Sequence, residues 1–387
     1  MQINDFFKKY VSIDFKKDIE LIKDINLHSI LVIGAAGTIG SNYLKQILKF
    51  KPKKITIVDF NENDLTELTR DLRSSKLLDY NPFYITYPVN LNSKIFDKIF
   101  WSNNYDLIAN FSAHKHVRSE KDLISIEALI KNNVYGAIKL LRLCNQRPPK
   151  FFFSVSTDKA SKPVNIMGAS KLLMEKIILS QQNKFKITTA RFANVAFSNG
   201  SLLDGFVNRI KKQQPISCPS DIKRFFVTPK QSGEICMLAT FLGDSGTIFF
   251  PKLNSDDQTY FRDIALDFIK ENDLNPIIIN SENEAKSFDF KKNKNSYPLY
   301  LFKTDTTGEK PFEQFYSETE DYILDDYNSI GYIRTKISEV SFDDIINDFN
   351  KIFDNPNSKK PNIILLLKKY LPEFNHKETG KNLDQRM

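Results

Sequence analysis

The sequence predicts an α/β fold in which a doubly wound parallel sheet is joined to a smaller C-terminal substrate domain. Short apolar runs typical of buried strands alternate with longer amphipathic runs typical of helices. A glycine-rich turn, Gly34-Ala35-Ala36-Gly37-Thr38-Ile39-Gly40, separates the first strand from the first long helix. The 387 residues, 41% of them hydrophobic, are enough to build one large core and a second, smaller one.

The composition excludes several classes of protein. The three cysteines, Cys144, Cys218 and Cys236, are far apart and odd in number, which argues against a disulfide framework or a zinc site and is typical of a reducing compartment. No apolar run approaches the ~20 residues of a membrane-spanning helix, and the first residues lack a signal-peptide pattern. We therefore expect a cytoplasmic protein with no membrane span and no metal ion.

The net charge of +8 comes from lysines spread along the whole chain. A scattered surplus of this kind is typical of solvated surface with a mild attraction for anionic ligands. No zinc-finger pattern and no basic-aromatic RNA-binding motif accompanies it. The sequence therefore predicts no nucleic acid among the partners.

The first elements are a helical preface and a strand. Residues 1–27 predict one or two short amphipathic helices whose aromatic side chains pack on the main domain or on a partner subunit. The apolar run 29–33 predicts the first strand, and a helix is expected over 41–50, after the glycine turn. Glycines at this spacing let the backbone approach a pyrophosphate, to which the helix start offers N–H groups. The turn therefore predicts a dinucleotide site.

The second strand, 54–59, ends in Asp59, which follows Gly40 by 19 residues. In dinucleotide-binding folds an acidic residue at about this distance accepts hydrogen bonds from the ribose hydroxyls and repels a 2′-phosphate. Asp59 therefore favours NAD over NADP as the cofactor. Alternatively Asp59 caps the N-terminus of the next helix, and the two roles do not exclude each other.

Further strands and helices alternate as a parallel sheet requires. After residue 194 the pattern becomes less regular, which predicts a smaller domain over the edge of the sheet. The remaining strands are expected over 83–87, 105–111, 151–155, 186–192 and 246–250, with helices over about 120–145, 169–181, 202–213 and 229–242 and an extended basic stretch over 215–226.

These elements divide the chain into four parts. They are a helical preface over 1–27, an NAD-binding domain of the Rossmann type over 28–200, a substrate-binding region over 201–345 with some elements returning to the first domain, and a linker with a basic tail over 346–387. The tail packs either on a neighbouring subunit or on its own domain. We expect a homo-oligomer.

The chemistry is expected at Thr157-Asp158-Lys159, which follows the apolar strand 151–155. Ligands of open α/β sheets bind at the carboxyl ends of the strands. Asp158 can give a proton to a leaving hydroxyl, and Lys159 can take one from carbon provided that burial or charge lowers its pKa. The alternative is a solvated loop in which the two side chains merely pair.

The helix that follows carries a second pattern, Met167-Gly168-Ala169-Ser170-Lys171. Met167 and Lys171 are four residues apart, so both lie on one face of the helix. A thioether cannot carry a proton.

Together these stretches resemble a known family. Over about residues 28–345 the chain resembles the extended short-chain dehydrogenases/reductases, within the bacterial nucleotide-sugar 4,6-dehydratases of polysaccharide biosynthesis. The resemblance is carried by the glycine turn, by 113–117 (Ala-His-Lys-His-Val), by 156–160 with 167–171, and by 308–313 (Gly-Glu-Lys-Pro-Phe-Glu).

The resemblance implies a reaction and a substrate. The substrate is a nucleoside-diphosphate N-acetylhexosamine, above all UDP-N-acetylglucosamine, whose C4 is oxidised by bound NAD. Lys159 then removes the C5 proton while Asp158 protonates the departing C6 hydroxyl, and hydride returns to C6. Thr157 would hydrogen-bond the C4 oxygen, and Lys171 would hold the nicotinamide ribose.

The resemblance also implies binding roles. Asn194 would touch the diphosphate, and the guanidinium of Arg224 would pair with its oxygens. Contacts with NAD are implied for Gly34, Ala36, Gly37, Thr38, Ile39, Gly40, Asp59, Asn90, Ser112, Ala113, Asn133 and Lys171, and contacts with the substrate for Lys115, His116, Asn194, Ser201, Arg224 and Glu309.

Three positions depart from the family pattern. Met167 stands where most members of the superfamily have the Tyr that serves as base for the oxidised hydroxyl. Either Thr157, Asp158 and Lys159 take over the proton relay, or catalysis is lost. Asn90 stands where an Asp often meets the adenine, and Asn199 where an Arg is common.

Two other functions remain open from the sequence. A nucleotide-sugar 4-epimerase of the same fold oxidises C4 without elimination, and an Asp-Lys pair after Thr is surplus to that chemistry. The other is a catalytically silent NAD-binding scaffold, which Met167 leaves open.

Overall fold

The computed structural model describes residues 3–11, 13–304, 313–337 and 339–378. Its first half is an alternation of strands and helices. The elements are α1 Ile3–Phe7, α2 Lys16–Ile19, β1 Ser29–Ile33, α3 Thr38–Ile47, β2 Lys54–Asp59, α4 Glu62–Ser74, β3 Phe83–Pro88, α5 Lys94–Trp101, β4 Leu107–Asn110, α6 Leu123–Ile130, a π-helical turn Lys131–Tyr135, α7 Gly136–Gln146, β5 Phe151–Val155, α8 Ile166–Leu179 and β6 Lys186–Ala190.

The second half is less regular, as the sequence predicts. Its elements are β7 Asn194–Val195, α9 Leu202–Lys211, β8 Ile216–Pro219, β9 Lys223–Arg224, β10 Phe226–Val227, α10 Pro229–Phe241, β11 Thr247–Pro251, β12 Thr259–Tyr260, α11 Phe261–Lys270, β13 Asn275–Ile279, α12 Glu282–Lys286, β14 Ser296–Phe302, β15 Asp321–Ile323, β16 Ile330–Arg334, α13 Phe342–Phe353 and α14 Lys360–Tyr370.

Nine strands form one large sheet in the order β15-β16-β11-β6-β5-β4-β1-β2-β3. The seven from β11 to β3 are parallel, and β16 and β15 add to the edge in antiparallel pairing. All of β1 is buried because helices cover both faces, which is why its sequence is continuously apolar. The predicted α/β fold with a doubly wound parallel sheet is confirmed.

The strand order reverses beside β1. Ile33, the last residue of β1, pairs with Val58 of β2 on one side and with Asn110 of β4 on the other. The chain leaves β1 and β4 toward different faces of the sheet, so a crevice opens beyond their carboxyl ends. Both the glycine turn after β1 and the loop after β4 begin at this crevice.

The segment 201–345 contributes to two regions. Its strand β11 pairs with β6, and α10 packs against α3 on the large sheet. The smaller region is a three-stranded parallel sheet, β13-β14-β8, with a hydrophobic cluster of its own that contains Phe206 and Phe268. The strand expected over 246–250 therefore belongs to the large sheet and not to the smaller region.

Both ends of the described chain pack on its body. Phe6 and Phe7 lie in the smaller cluster and Phe15 in the larger one. At the other end, Ile363 and Leu367 of α14 are buried in the larger core, so the described part of the tail packs on its own chain. In the parts of the chain that the structure describes, no helix is both long and apolar enough to cross a membrane.

Candidate active site

The glycine turn after β1 is shaped by close backbone contacts. Gly34 has φ +70°, and a Cβ there would lie 2.6 Å from the amide nitrogen of Ser112. At Gly40 a Cβ would lie 2.4 Å from the carbonyl oxygen of Gly34. Only glycine therefore lets the turn pass this close to the loop after β4 and to the start of α3.

Gly37 differs, because the nearest atom to a Cβ there is 3.5 Å away. Gly37 caps α3, so the backbone N–H groups of Thr38, Ile39 and Gly40 lie in the first turn of that helix. Space beside a helix start, lined by N–H groups, fits the pyrophosphate of a dinucleotide.

Asp59 ends β2 beside this turn and is 7% exposed. Its Oδ2 accepts a hydrogen bond from the Ala36 backbone at 3.0 Å, and its Oδ1 accepts one from Asn61 at 3.1 Å. Burial raises the pKa of this carboxyl, and the backbone donors oppose the shift. The alternative role as a helix cap is wrong, because the side chain of Asn61 caps α4.

Three other predicted cofactor residues lie around the crevice, and one lies at the end of β3. Ser112 and Ala113 follow β4, and the backbone of Ser112 abuts Gly34. Asn133, in the π-helical turn, accepts from the His114 backbone N–H at 2.8 Å and donates to Ser170 Oγ at 3.0 Å, which ties the loop after β4 to α8. Asn90 is exposed, and its Oδ1 accepts from the Asn92 backbone.

The Thr157-Asp158-Lys159 stretch follows β5 as a short 3-10 turn capped by the Thr157 hydroxyl. Asp158 is 2% exposed, and its Oδ1 accepts from Thr157 Oγ1 at 2.9 Å and from Lys159 Nζ at 3.2 Å. The side chain of Lys159 keeps 21% of its surface exposed. A hydroxyl and an ammonium therefore meet at one carboxylate oxygen, and solvent reaches part of the Lys159 side chain.

The charge of Lys159 differs from the sequence-based prediction. Burial on its own lowers the pKa of this amine, but the carboxylates of Asp158 and Glu313 outweigh burial and raise the pKa above its ordinary value. Arg224 opposes them from β9. A lowered pKa, the condition for Lys159 to act as a base, is therefore not met here, because the two carboxylates favour the ammonium form.

Helix α8 lies close to this turn because of a glycine. Asn165 caps the helix by accepting from the Gly168 N–H at 2.7 Å, and a Cβ on Gly168 would lie 2.6 Å from the carbonyl oxygen of Lys159. Met167 is 2% exposed and precedes Lys171 by one turn. Lys171 donates to the Val155 carbonyl at 2.7 Å, and its burial lowers its pKa to about 8.

Loops expected to hold the substrate meet over the glycine turn. Lys115 Nζ donates to the Asn199 carbonyl at 2.8 Å, and the Asn199 N–H donates to Thr38 Oγ1 at 3.0 Å. A Cβ on Gly200 would lie 3.3 Å from His116 Nε2.

The other predicted substrate residues have different local settings. Ser201 caps α9 by accepting from the Asp204 N–H, and the Asn194 backbone donates to the Phe225 carbonyl. Arg224 is 5% exposed, and its Nη1 donates to the Lys223 carbonyl at 2.9 Å. Glu309 lies outside the described residues.

The sequence interpretation missed a buried ionic network behind the site. Arg191, 1% exposed, forms a two-pronged ion pair with Glu175 of α8 and also contacts Glu320 at 2.8 Å. Glu313, 5% exposed, approaches Lys159. The resemblance marked 308–313 without assigning a role to Glu313, and that stretch was the signal for it. Among the described residues no group of His, Cys, Asp and Glu side chains could hold a metal ion.

A family model for "Polysaccharide biosynthesis protein" matches residues 30–330. The chain belongs to this family. It is 33% identical to an uncharacterized membrane protein of Methanocaldococcus jannaschii, over 59% of this chain and 67% of that one. It is 28% identical to a UDP-N-acetylglucosamine 4,6-dehydratase (inverting) of Campylobacter jejuni, over 59% of this chain and 68% of that one. The chain covers 38% to 68% of the length of these two relatives and of two further ones that are named for polysaccharide biosynthesis.

Solved structures show the same fold. Pen from Bacillus thuringiensis is similar with a TM-score of 0.67 and 21% identity, over 85% of this chain and 98% of that one. Other similar structures are nucleotide-sugar 4-epimerases and 4,6-dehydratases, some of them with bound NAD. Membership of the polysaccharide biosynthesis family, together with the relative named as a UDP-N-acetylglucosamine 4,6-dehydratase, confirms the resemblance to the nucleotide-sugar dehydratases of the short-chain dehydrogenase/reductase class.

Proposed function

We propose that this protein is an NAD-dependent 4,6-dehydratase that converts UDP-N-acetylglucosamine to its 4-keto-6-deoxy sugar with loss of one water. The observation that carries the proposal is the shared oxygen of Asp158, which accepts from the Thr157 hydroxyl and from the Lys159 ammonium. Elimination of water needs an acid and a base side by side, and this contact supplies both.

The residues around the glycine turn fit NAD. The N–H groups at the start of α3 would hold the pyrophosphate, and the Asp59 carboxylate would accept from the adenosine ribose. Lys171, held at the end of β5 by the Val155 carbonyl, would turn to the nicotinamide ribose. When bound, NAD supplies the hydride acceptor for C4 and the hydride donor for C6.

Thr157 and Asp158 would replace the missing Tyr as the path for the C4 hydroxyl proton. Met167 cannot accept a proton. The Thr157 hydroxyl already donates to Asp158 Oδ1 at 2.9 Å. The C4 hydroxyl can pass its proton to Thr157 Oγ1 as Thr157 passes its own to Asp158, which leaves Asp158 protonated.

Asp158 and Lys159 would then carry out the elimination. Lys159, once it has lost its ammonium proton to solvent, accepts the proton from C5, which the C4 ketone has made acidic. Asp158 gives the proton that it received from C4 to the C6 hydroxyl, which leaves as water. After hydride has reached C6, Lys159 returns a proton to C5, and the net change is the loss of one water.

The diphosphate of the substrate would be held by cations on the other side of the crevice. Arg224 lies close enough to Lys159 to act on its charge, and Lys115 reaches over the glycine turn to Asn199. Guanidinium and ammonium groups are the usual partners of phosphate oxygens. A diphosphate between these cations would place the hexose toward Thr157.

A 4-epimerase is the main rival, because UDP-glucose 4-epimerases of Rickettsia species are among the relatives. That reaction needs a base for the C4 hydroxyl but neither an acid at C6 nor a base at C5. The buried Asp158 carboxylate in contact with Lys159 therefore favours the dehydratase. A catalytically silent scaffold would need none of the side chains of Thr157, Asp158 and Lys159.

The decisive experiment is to incubate the purified protein with NAD and UDP-N-acetylglucosamine in heavy water and to follow the product by mass and proton NMR. A dehydratase gives a product lighter by one water with deuterium at C5. A product of unchanged mass identifies an epimerase, and the absence of any product supports the scaffold. In the dehydratase, Asp158→Asn and Lys159→Ala should each abolish the loss of water.

A further inference from the structure

Glu313 lies beside the candidate base although it is far away in the sequence. Its side chain is 5% exposed, and its Oε1 lies 4.0 Å from Lys159 Nζ. Asp158 Oδ1 lies 3.2 Å from the same nitrogen. The ammonium therefore lies within 4.0 Å of two buried carboxylates, one from its own turn and one from the loop that precedes β15.

The loop that carries Glu313 is fixed by the ionic network behind the site. Arg191 Nη1 donates to the Phe315 carbonyl at 3.0 Å and contacts Glu320 at 2.8 Å. Glu320 in turn accepts from the Ser317 N–H at 2.7 Å. Because Arg191 is also paired with Glu175 of α8, the same helix that presents Lys171 determines where this loop lies.

Aromatic packing holds the loop on its other side. The ring of Phe315 lies 5.3 Å from that of Phe225 and stacks on Phe250 at 6.1 Å. Phe225 follows Arg224 directly, so the strand that brings Arg224 to the site also supports the loop. The loop that carries Glu313 is thus held by Arg191, which follows β6, by Phe225, which follows β9, and by Phe250 of β11.

Three charged groups face Lys159 from the elements around it. Asp158 comes from its own turn, Glu313 from the loop before β15, and Arg224 from β9. Burial and Arg224 lower the pKa of Lys159, whereas the two carboxylates raise it. Asp158 is occupied by the proposed reaction, which leaves Glu313 as the carboxylate with no chemical step of its own.

We propose that Glu313 is a positioning residue that holds the Lys159 ammonium in place and so sets the pH above which Lys159 can accept a proton. Its consequence for turnover rests on the proposed dehydratase function. A carboxylate at this distance keeps the proton on the resting amine. After Lys159 has taken the C5 proton, the same carboxylate stabilises the ammonium that has formed.

The first test is the pH dependence of turnover in Glu313→Gln. The rising limb of kcat/KM should move by about one pH unit to lower pH, because Lys159 loses its proton more easily without the neighbouring charge. The plateau of kcat should fall about tenfold, because the newly formed ammonium loses a partner. Glu313→Asp, which keeps a carboxylate with a shorter reach, should lie between Glu313→Gln and the unchanged protein.

Glu318→Gln is the matched control. Glu318 lies in the same loop, its side chain is 94% exposed, and its nearest cation is Lys162 at 3.9 Å. This variant removes the same charge from the same loop without touching Lys159. In Glu318→Gln the rising limb of kcat/KM should lie at the same pH as in the unchanged protein. A shift equal to that of Glu313→Gln would overturn the proposal.

The second test does not depend on turnover. Trace acetylation with acetic anhydride, read by peptide mass spectrometry across pH, measures the fraction of Lys159 that is neutral, and its exposed surface admits the reagent. The pH at which half of Lys159 is neutral should be lower in Glu313→Gln than in the unchanged protein, and the decrease should be smaller in Glu313→Asp. Circular dichroism should show that each variant is folded. An unchanged midpoint in the folded variants overturns the role of Glu313. If the protein makes no dehydrated product, the proposed function fails but this measurement still decides the inference.

Discussion

Two ionic clusters lie close together in this protein and differ in how fully they are satisfied. The Arg191 guanidinium, 1% exposed, has carboxylate or carbonyl partners on three of its nitrogens, from Glu175, Glu320 and Phe315. Among the described residues, Lys159 Nζ lies at hydrogen-bond length from Asp158 and 4.0 Å from the more distant carboxylate of Glu313. Arg191 and Glu175 at the centre of the first cluster are each 1% exposed, whereas 21% of the Lys159 side chain is exposed, so Lys159 can exchange a proton with water.

The pKa values of the two cations agree with this difference. At Arg191 burial works against the charge, but Glu175 and Glu320 raise the pKa above its already high ordinary value. At Lys159, too, burial lowers the pKa and the neighbouring carboxylates raise it, so that it lies above its ordinary value. Lysine is nevertheless an amine, which can lose its proton in water. Arginine cannot serve as a base under these conditions, and lysine can.

The largest expected effect comes from Lys159→Met. Turnover of UDP-N-acetylglucosamine should fall about a thousandfold, since a lost general base typically costs this much. The free energy of unfolding should fall by less than in Arg191→Met, because water reaches the Lys159 side chain and can solvate the remaining carboxylates. Stopped assays and urea unfolding of both variants measure the two effects, and equal losses of stability would contradict the contrast between the clusters.

The matched replacement, Arg191→Met, should instead act mainly on stability. It leaves Glu175 buried without its partner, and breaking a buried pair in this way costs about 3–5 kcal/mol. Urea unfolding should show a lower midpoint with an unchanged slope. A loss below about 1 kcal/mol would show that the network contributes little to the fold.

Lys171 permits a pH-dependent test of a third buried cation. Its pKa is about 8 in the folded protein and 10.5 ordinarily, so between these values the unfolded chain binds a proton that the folded one does not. The stability of the cofactor-free protein should therefore rise with pH across this window and carry a cost of about 3 kcal/mol below pH 8.

Lys171→Met should remove that dependence. Its gain in unfolding free energy relative to the unchanged protein should be larger at pH 7 than at pH 10.5. Lys176→Met, on the same helix at a side chain that is 35% exposed, is the control and should leave the pH dependence as it is. If both variants follow the unchanged protein, Lys171 is charged in the folded state.

The smallest effect is expected for Gly168→Ala. The added Cβ would lie 2.6 Å from the Lys159 carbonyl oxygen, so the turn or α8 must shift, at a cost of about 1–3 kcal/mol. Gly205→Ala, in α9 with no atom within 4 Å of the new Cβ, should be neutral or slightly stabilising. Thermal unfolding and kcat compare the two, and equal behaviour would mean that the contact at Gly168 is unimportant.

The elements of the large sheet were predictable where a local pattern decides them. The strands β1, β2, β4 and β5 each contain a short apolar run, and the glycine turn and the Thr-Asp-Lys stretch follow two of them. The location of these two stretches at the crevice then follows from the strand order, because ligands bind where that order reverses. No local pattern tells that β11 returns to β6, since its apolar run fits either sheet.

Long-range contacts were not predictable either, because no local sequence pattern specifies them. The charge of Lys159 depends on Glu313, which reaches it only because Arg191 holds the loop. A single sequence shows a lysine next to an aspartate but not a second carboxylate from far along the chain. The residue that caps α4 is Asn61 and not Asp59, which lies two residues earlier. The geometry that distinguishes the two is not visible in the sequence.

The packing of the first residues has a consequence for how the chain is made. Phe6 and Phe7 find their ring partners at Phe197, Phe226 and Phe268, and Asp18 accepts from the backbone of Asn328 and Ser329. On a ribosome this segment emerges well before any of those partners has been synthesised. Until those partners emerge, the rings of this segment can pack only on one another, and chaperones or aggregation compete for them.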